Sequence, residues 1–257
     1  MIMTSALIII YILASLVIGG EKTAKSLVTL ATNAVILFAV ILLTEMGFPA
    51  LAVTAAGCVC VSLVTLFFQN EITVKTKAAL LSVFIVIAVM FGFLFFVEAR
   101  ANIQGFPVGQ FEFRESNGYS AEIDFNMTML EISVMLMVLI GAVIDTALSV
   151  TSGLYEVYLN NKNLSRNELF RSGLSIGKNI LSSTVNTLFF IFIAEYFTLF
   201  IQFIQYYTFA QMLNSKEFCQ QVISISVSAI GCVLIIPVVS AIASAKFKDQ
   251  SFFSIRK

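Results

Sequence analysis

Long apolar runs separated by short polar segments form the main pattern of this chain. A helix needs about 20 apolar residues to cross the hydrocarbon core of a bilayer, which is roughly 30 Å thick. Seven runs have a suitable length, and we predict one membrane-spanning helix in each: residues 2–18, 27–47, 50–68, 78–97, 128–150, 176–197 and 222–244. The pattern predicts an all-α fold, a polytopic transmembrane helix bundle that forms a single integral membrane domain over residues 1–257.

Two of these runs need further interpretation. The first is similar to a cleaved signal peptide, but no Lys or Arg precedes Lys22, so we interpret it as a retained span. In the sixth run, apolar character continues to Tyr207, which is too long for one span. We place the helix exit near Glu195 and predict an amphipathic interfacial helix over residues 197–211.

The overall composition agrees with a membrane location. Apolar residues make up 59 % of the 257 residues and charged residues 12 %, and the mean hydropathy is +0.96. Soluble domains contain about 45–50 % apolar and about 25 % charged residues. The 15 basic and 15 acidic residues cancel, so no net charge attracts nucleic acid. We therefore expect a chain surrounded by the lipid bilayer, with no nucleic-acid partner.

The residues that most enzymes depend on are scarce. Histidine is absent, which removes the usual general base and the commonest metal ligand. Only one aspartate, Asp145, falls in a predicted span, whereas an aspartyl protease needs two carboxylates. The cysteines lack the spacing of a metal site: Cys58, Cys60, Cys219 and Cys232. We predict no enzymatic activity, no metal site and no cofactor.

Basic residues are distributed unevenly among the predicted loops. Loops 1 and 3, loop 5 with its flanks and the C-terminal tail contain twelve: Lys22, Lys25, Lys75, Lys77, Lys162, Arg166, Arg171, Lys178, Lys246, Lys248, Arg256 and Lys257. The alternate loops contain three: Arg100, Arg114 and Lys216. Because Lys and Arg accumulate in cytoplasmic loops, we predict an outside N-terminus and a cytoplasmic C-terminus.

The outer loop, residues 99–127, shows the pattern of a β-hairpin. Apolar and polar residues alternate on both sides of Asn117-Gly118, a dipeptide suited to a two-residue type I′ turn. We predict a small extracytoplasmic hairpin that covers the outer helix ends. A ligand-binding lid is the alternative.

Polar residues recur at helical spacing in the fifth predicted span. Asp145, Ser149, Ser152 and Glu156 fall within a narrow stripe at 100° per residue. Asp145 lies about 14 Å along the helix axis from residue 154, near which the cytoplasmic extension begins, and this places it inside the hydrocarbon. Because a carboxylate is costly there, an ionisable residue within a membrane indicates a functional site.

The sixth predicted span carries a second polar stripe. Asn179, Ser183 and Asn186 share one side, and Ser183 is expected at the depth of Asp145. We predict that the two stripes face each other and that hydroxyls and amides donate to the carboxylate. The alternative is that Ser and Asn only join helices, at about 0.6 kcal/mol each. In the seventh span, Pro237 is either a hinge or a point of simple curvature.

These segments also resemble a known family. The run GAVIDTALSVTSGLYE, residues 141–156, resembles the GAxxDxAxSxxSxxxE signature of YibE/F-like bacterial membrane proteins. The run RSGLSIGKN, residues 171–179, and Asn186-Thr187-Leu188 resemble its second block, in which an acid usually stands at the position of Asn179. The resemblance implies a shorter, YibF-like member in a bacterial cytoplasmic membrane, working beside a YibE-like membrane subunit.

Two functions are compatible with this sequence. The first is a transporter or permease subunit, in which Asp145 responds to an ion or proton. In this function Asn179, Ser183 and Asn186 bind the solute or the acid. The second is a non-transporting scaffold or assembly subunit, whose polar stripe docks a helix of a YibE-like partner or of a second copy. The sequence does not specify the solute.

Overall fold

Apolar runs become helices in this chain because a helix bonds its own backbone polar groups, as the interior of a bilayer requires. The computed structural model describes residues 2–70, 72–101, 112–114, 120–122 and 126–254. The long helices are α1 Ile2–Glu45, α2 Ala50–Leu63, α3 Val74–Ala101, α4 Met127–Asn160, α5 Arg166–Glu195 and α8 Lys216–Ser254. The short ones are α6 Phe197–Tyr206, α7 Phe209–Leu213 and a π-helical turn Val64–Phe68 that continues α2.

The helices confirm the predicted all-α membrane fold. Among the described residues, six helices are long and apolar enough to cross a membrane. The first of them, α1, contains both of the first two predicted spans, because its 44 residues are interrupted only at Gly20. Gly20 has φ 56° and ψ −139°, so α1 consists of two helical segments joined at one residue.

The predicted first loop is helical instead of irregular. Lys25 pairs with Glu21 one turn earlier, with 3.2 Å between Nζ and Oε1, and such i,i+4 pairs stabilise helices. No proline interrupts this part of the chain. The polar residues between the first two apolar runs therefore continue the helix after Gly20.

The core of the bundle is built on α4, which packs against α2, α3, α5 and α8. Small residues bring α8 close to its neighbours. A Cβ atom on Gly231 would overlap Leu139 of α4, and one on Gly177 of α5 would overlap Ile236. As a result, α4, α5 and α8 form a triangle of mutually packed helices. In contrast, α1 packs mainly on α2 and the π-helical turn.

The sixth predicted span ends where the sequence indicated. Its helix, α5, stops at Glu195, and Tyr196 separates it from α6. The predicted helix over 197–211 is divided, because α6 ends at Tyr206 and Thr208 caps α7. Phe203 of α6 is buried, with its ring centroid 6.4 Å from that of Phe218.

A short antiparallel strand pair lies in the predicted outer loop. The strands are β1 Glu112–Arg114 and β2 Ser120–Glu122, and Phe113 is paired with Ala121. The predicted two-residue turn at Asn117-Gly118 and the rest of the loop lie outside the described residues.

The basic segments meet at one end of the bundle. Lys246 Nζ donates to the carbonyl oxygen of Lys77 at 3.4 Å, and Lys248 Nζ donates to that of Lys162 at 3.0 Å. Lys22, Lys25 and Lys75 line one cavity. Loops 1, 3 and 5 and the tail therefore share an end, which is the arrangement that the charge pattern predicted.

Candidate functional site

The first half of the site is one side of α4. Asp145 and Glu156 are exposed on the surface of the chain, while Ser149 and Ser152 are half-buried. The opposite side of the helix is packed in the core, where Val143 and Val150 have no exposed surface. The stripe predicted from the sequence is therefore a continuous outward side of α4.

The second half lies on α5, which begins with a strong local signal. Ser165 Oγ accepts from the backbone N–H of Glu168 at 3.3 Å, and Glu168 Oε2 accepts from the backbone N–H of Ser165 at 2.7 Å. This capping box sets the start of α5. Asn179, Ser183 and Asn186 are all exposed on its outward side.

The packing of α4 on α5 sets the relative depth of the two stripes. A Cβ atom on Gly153 would lie 3.2 Å from Ile176 Cγ2, and one on Gly173 would lie 3.4 Å from Leu154 Cδ2. In this antiparallel register, Asp145 is level with residues near Ser183. The expectation that these two residues lie at one depth agrees with this register.

All seven predicted residues retain exposed surface, and whether the two stripes face each other stays a prediction. Around the axis of α4, the contacts with α5 lie next to the contacts with α8, and around the axis of α5 the contacts with α4 lie next to those with α8. Each stripe lies on the side of its helix that is turned away from α8. The seven residues therefore border one outer surface of the α4–α5 pair, which we call the polar strip: Asp145, Ser149, Ser152, Glu156, Asn179, Ser183 and Asn186. In the described part of the chain, no hydrogen bond joins its α4 residues to its α5 residues.

The polar strip carries negative charge without compensation. Neither Asp145 nor Glu156 forms an ion pair with another described residue. The nearest basic residue in sequence on α5, Lys178, is exposed and points about 100° away from Asn179. In the same described set, no three His, Cys, Asp or Glu side chains are grouped so that they could hold a metal ion.

Pro237 lies outside the polar strip. It is exposed on α8, and the helix continues through it from Lys216 to Ser254. Its ring removes one backbone donor and crowds the preceding turn. Whether it acts as a hinge stays a prediction.

Sequence reasoning missed a set of buried polar residues. Glu131 of α4 is only 1 % exposed. Gln220 of α8 is 4 % exposed, and its Oε1 atom has no hydrogen-bond partner among the described residues. The four-residue spacing of Gln220, Ser224 and Ser228 was a signal that could have found the α8 residues.

The helices and the strip define a class of protein. Long apolar helices pack around α4, and both α4 and α5 carry polar side chains. These features make this a helical membrane protein with several spans. A family model described as "YibE/F-like protein" matches residues 7–249, so the chain belongs to the YibE/F-like family, as its motifs indicated. Comparisons with curated proteins and with solved structures gave no match.

Proposed function

We propose that this chain is a subunit of a membrane complex and that a helix of another chain covers the polar strip. The observation that carries this proposal is the contrast within the α4–α5 pair. In the most apolar part of α4 the mean hydropathy is 2.3 and 50 % of the residues are buried. In the most apolar part of α5 the mean hydropathy is only 1.3 and 11 % of the residues are buried. The more polar helix is thus the one that the chain itself leaves more exposed.

The energetic cost of exposure to lipid supports a covering helix. An aspartate at the centre of a membrane helix costs about 2.5–3.5 kcal/mol on insertion scales. Side chains of Ser and Asn contribute about 0.6 kcal/mol each when they bond across helices, and they lose this in lipid. A second chain could donate hydrogen bonds to Asp145 and bond to Asn179 and Ser183. It would then offset both the cost of the aspartate in lipid and the loss of the Ser and Asn hydrogen bonds.

The surface also suits close approach of another helix. Gly141 lies one turn from Asp145, and nothing is found within 4 Å of the position that a Cβ atom would take there. Small residues at four-residue spacing allow helix backbones to pack closely in membranes. We propose a YibE-like subunit as the partner, because the resemblance implies one, and a second copy of this chain is the alternative.

Transport is the second candidate function, and the same charged residue favours it. If the polar strip is closed by a partner, Asp145 becomes a carboxylate enclosed within a helix interface, where it can bind an ion or a proton. The permease site would then belong to the complex and not to the single chain. We propose no enzymatic activity, and we place the complex in the bacterial cytoplasmic membrane with the basic end of the bundle in the cytoplasm.

The test is capture of partners from native membranes with the tagged full-length chain. We expect Asp145→Asn, which keeps the shape and removes the charge, and Asn179→Leu/Ser183→Leu to reduce the recovered complex about tenfold, equivalent to about 1.4 kcal/mol. Val138→Leu and Phe190→Leu are matched controls, because both residues are exposed on the same helices but apolar. These controls are expected to retain the complex.

Two outcomes would count against the proposal. Full recovery of the complex with both strip variants would show that the strip is not an interface. A wild-type chain that is monomeric in native membranes would have the same meaning. Ion flux into vesicles that contain the reconstituted complex then separates the two functions. A permease conducts ions, and Asp145→Asn should abolish this flux even when cross-links hold the complex together. A scaffold should conduct no ions with either chain.

A further inference from the structure

A polar cavity at the basic end of the bundle lies between α1 and the start of α3. Its volume is about 410 Å³. The lining residues are Lys22, Lys25, Gln69, Asn70, Thr73 and Lys75. None of them belongs to the polar strip, so the inference below is independent of the proposed function.

Three lysines from two distant parts of the chain line this cavity. Lys22 and Lys25 belong to α1, whereas Lys75 lies in the first turn of α3. Lys25 pairs with the exposed Glu21. Lys22 and Lys75 form no ion pair with any described residue, and Glu71 lies outside that set. The described lining therefore has excess positive charge.

Uncharged groups complete the lining, and several are already positioned. Gln69 Nε2 donates to Ser26 Oγ at 3.2 Å, which ties the chain before α3 to α1. Asn70 Nδ2 donates to the carbonyl oxygen of Thr65 at 3.0 Å. The backbone N–H of Thr73 donates to Thr76 Oγ1 at 2.9 Å, so the start of α3 is capped beside the lysines. The positive end of the α3 helix dipole adds to their charge.

We propose that this cavity binds a phosphate group. A phosphate offers negative charge and strong acceptor oxygens, which match converging ammonium and amide donors. The cavity lies at the basic end of the bundle, and basic pockets between helices bind lipid headgroups at such positions. The phosphate can belong to an anionic lipid headgroup or to a soluble phosphate, and the experiment separates these two sources.

The first arm uses the full chain in nanodiscs of phosphatidylcholine, with and without phosphatidylglycerol. We expect native mass spectra to retain phosphatidylglycerol on the wild type, and its presence to raise the unfolding temperature. Lys22→Gln/Lys75→Gln should weaken this binding about 25-fold, because each lysine near an anionic surface contributes a factor of about five. Equal unfolding temperatures of both chains in pure phosphatidylcholine would establish that the variant folds.

Lys77→Gln is the matched control, because it removes the same charge from α3 two residues away and outside the cavity lining. It should retain wild-type binding. The second arm titrates inorganic phosphate into phosphatidylcholine nanodiscs. Stabilisation of the wild type but not of the double variant would identify a soluble phosphate as the ligand. Binding of neither probe, or equal weakening by Lys77→Gln, would overturn the proposal.

Discussion

Helices α1 and α5 are the two candidate spans that the rest of the described chain buries least. Only 17 % of the most apolar part of α1 is buried, and 11 % of that of α5. Their mean hydropathies differ, at 2.4 for α1 and 1.3 for α5. In α1 many of the exposed residues are aliphatic, such as Ile10 and Val17, whereas in α5 the exposed residues include Asn179 and Asn186.

The comparison teaches that exposure has opposite meanings for the two helices. Lipid tails are as apolar as Leu or Ile, so α1 needs no protein neighbour to be stable in a bilayer. Exposed amides and a nearby carboxylate have no such partner in lipid. Of these two least buried helices, α5 is therefore the one whose exposed side requires another molecule. The following experiments test this contrast, beginning with the largest expected effect.

The lipid exposure of α1 is tested by placing a charge in it. Ile10→Asp should reduce membrane insertion of the first segment by about 2.5–3.5 kcal/mol, the cost of an aspartate at the helix centre. The inserted fraction can be measured with a glycosylation tag on the N-terminus, with Ile10→Leu as the control. Insertion of the Asp variant at the wild-type level would mean that this segment is sheltered by protein or water, and the contrast with α5 would fail.

The attachment of α5 to the bundle is tested at its closest contact. Gly177→Leu should lower the free energy of unfolding by about 1–3 kcal/mol, because the added side chain would overlap Ile236 of α8. Thermal unfolding in detergent measures this. Gly92→Ala on α3 is the control, since nothing lies within 4 Å of its Cβ position, and it should be neutral or stabilising. Equal effects of both substitutions would contradict the close α5–α8 packing.

The start of α5 is tested through its cap. Ser165→Ala removes the hydroxyl that accepts from the backbone N–H of Glu168. The free energy of unfolding should fall by about 1 kcal/mol. Hydrogen exchange should increase in the first turn of α5 and remain unchanged in α8. Ser165→Thr should retain most of the protection, and if it exchanges as fast as the Ala variant, the cap does not set this end.

The smallest expected effect concerns the attachment of α1. Asn33 Nδ2 donates to Thr65 Oγ1 at 3.0 Å, and Asn33→Leu should cost about 0.6 kcal/mol, the average for such a bond in a membrane. Thr32→Val is the control, because Thr32 Oγ1 bonds only within its own helix, to the carbonyl oxygen of Val28. Cysteine cross-linking between α1 and α2 would report the loosening. No difference between the two variants would mean that apolar packing alone holds α1.

Hydropathy predicted most of this fold, because helix length and bilayer thickness are matched. The polar strip could also be predicted, since 100° per residue groups Asp145 with Ser149 regardless of tertiary structure. The side of α4 that faces inward could not be predicted, because lipid and protein interior are equally apolar and both select Leu, Ile and Val. The burial of Glu131 could not be predicted for the same reason.

The break at Gly20 has a mechanical consequence for the N-terminal segment. Its φ and ψ angles lie in a region that is accessible essentially only to glycine, so another residue there would be strained. A Cβ atom on Gly19 would also overlap Thr23. The orientation of residues 2–18 relative to the remainder of α1 consequently depends on two torsion angles of a single residue. Rotation about those two bonds would reorient the whole apolar N-terminal segment within the bilayer and leave the helical segments on both sides intact.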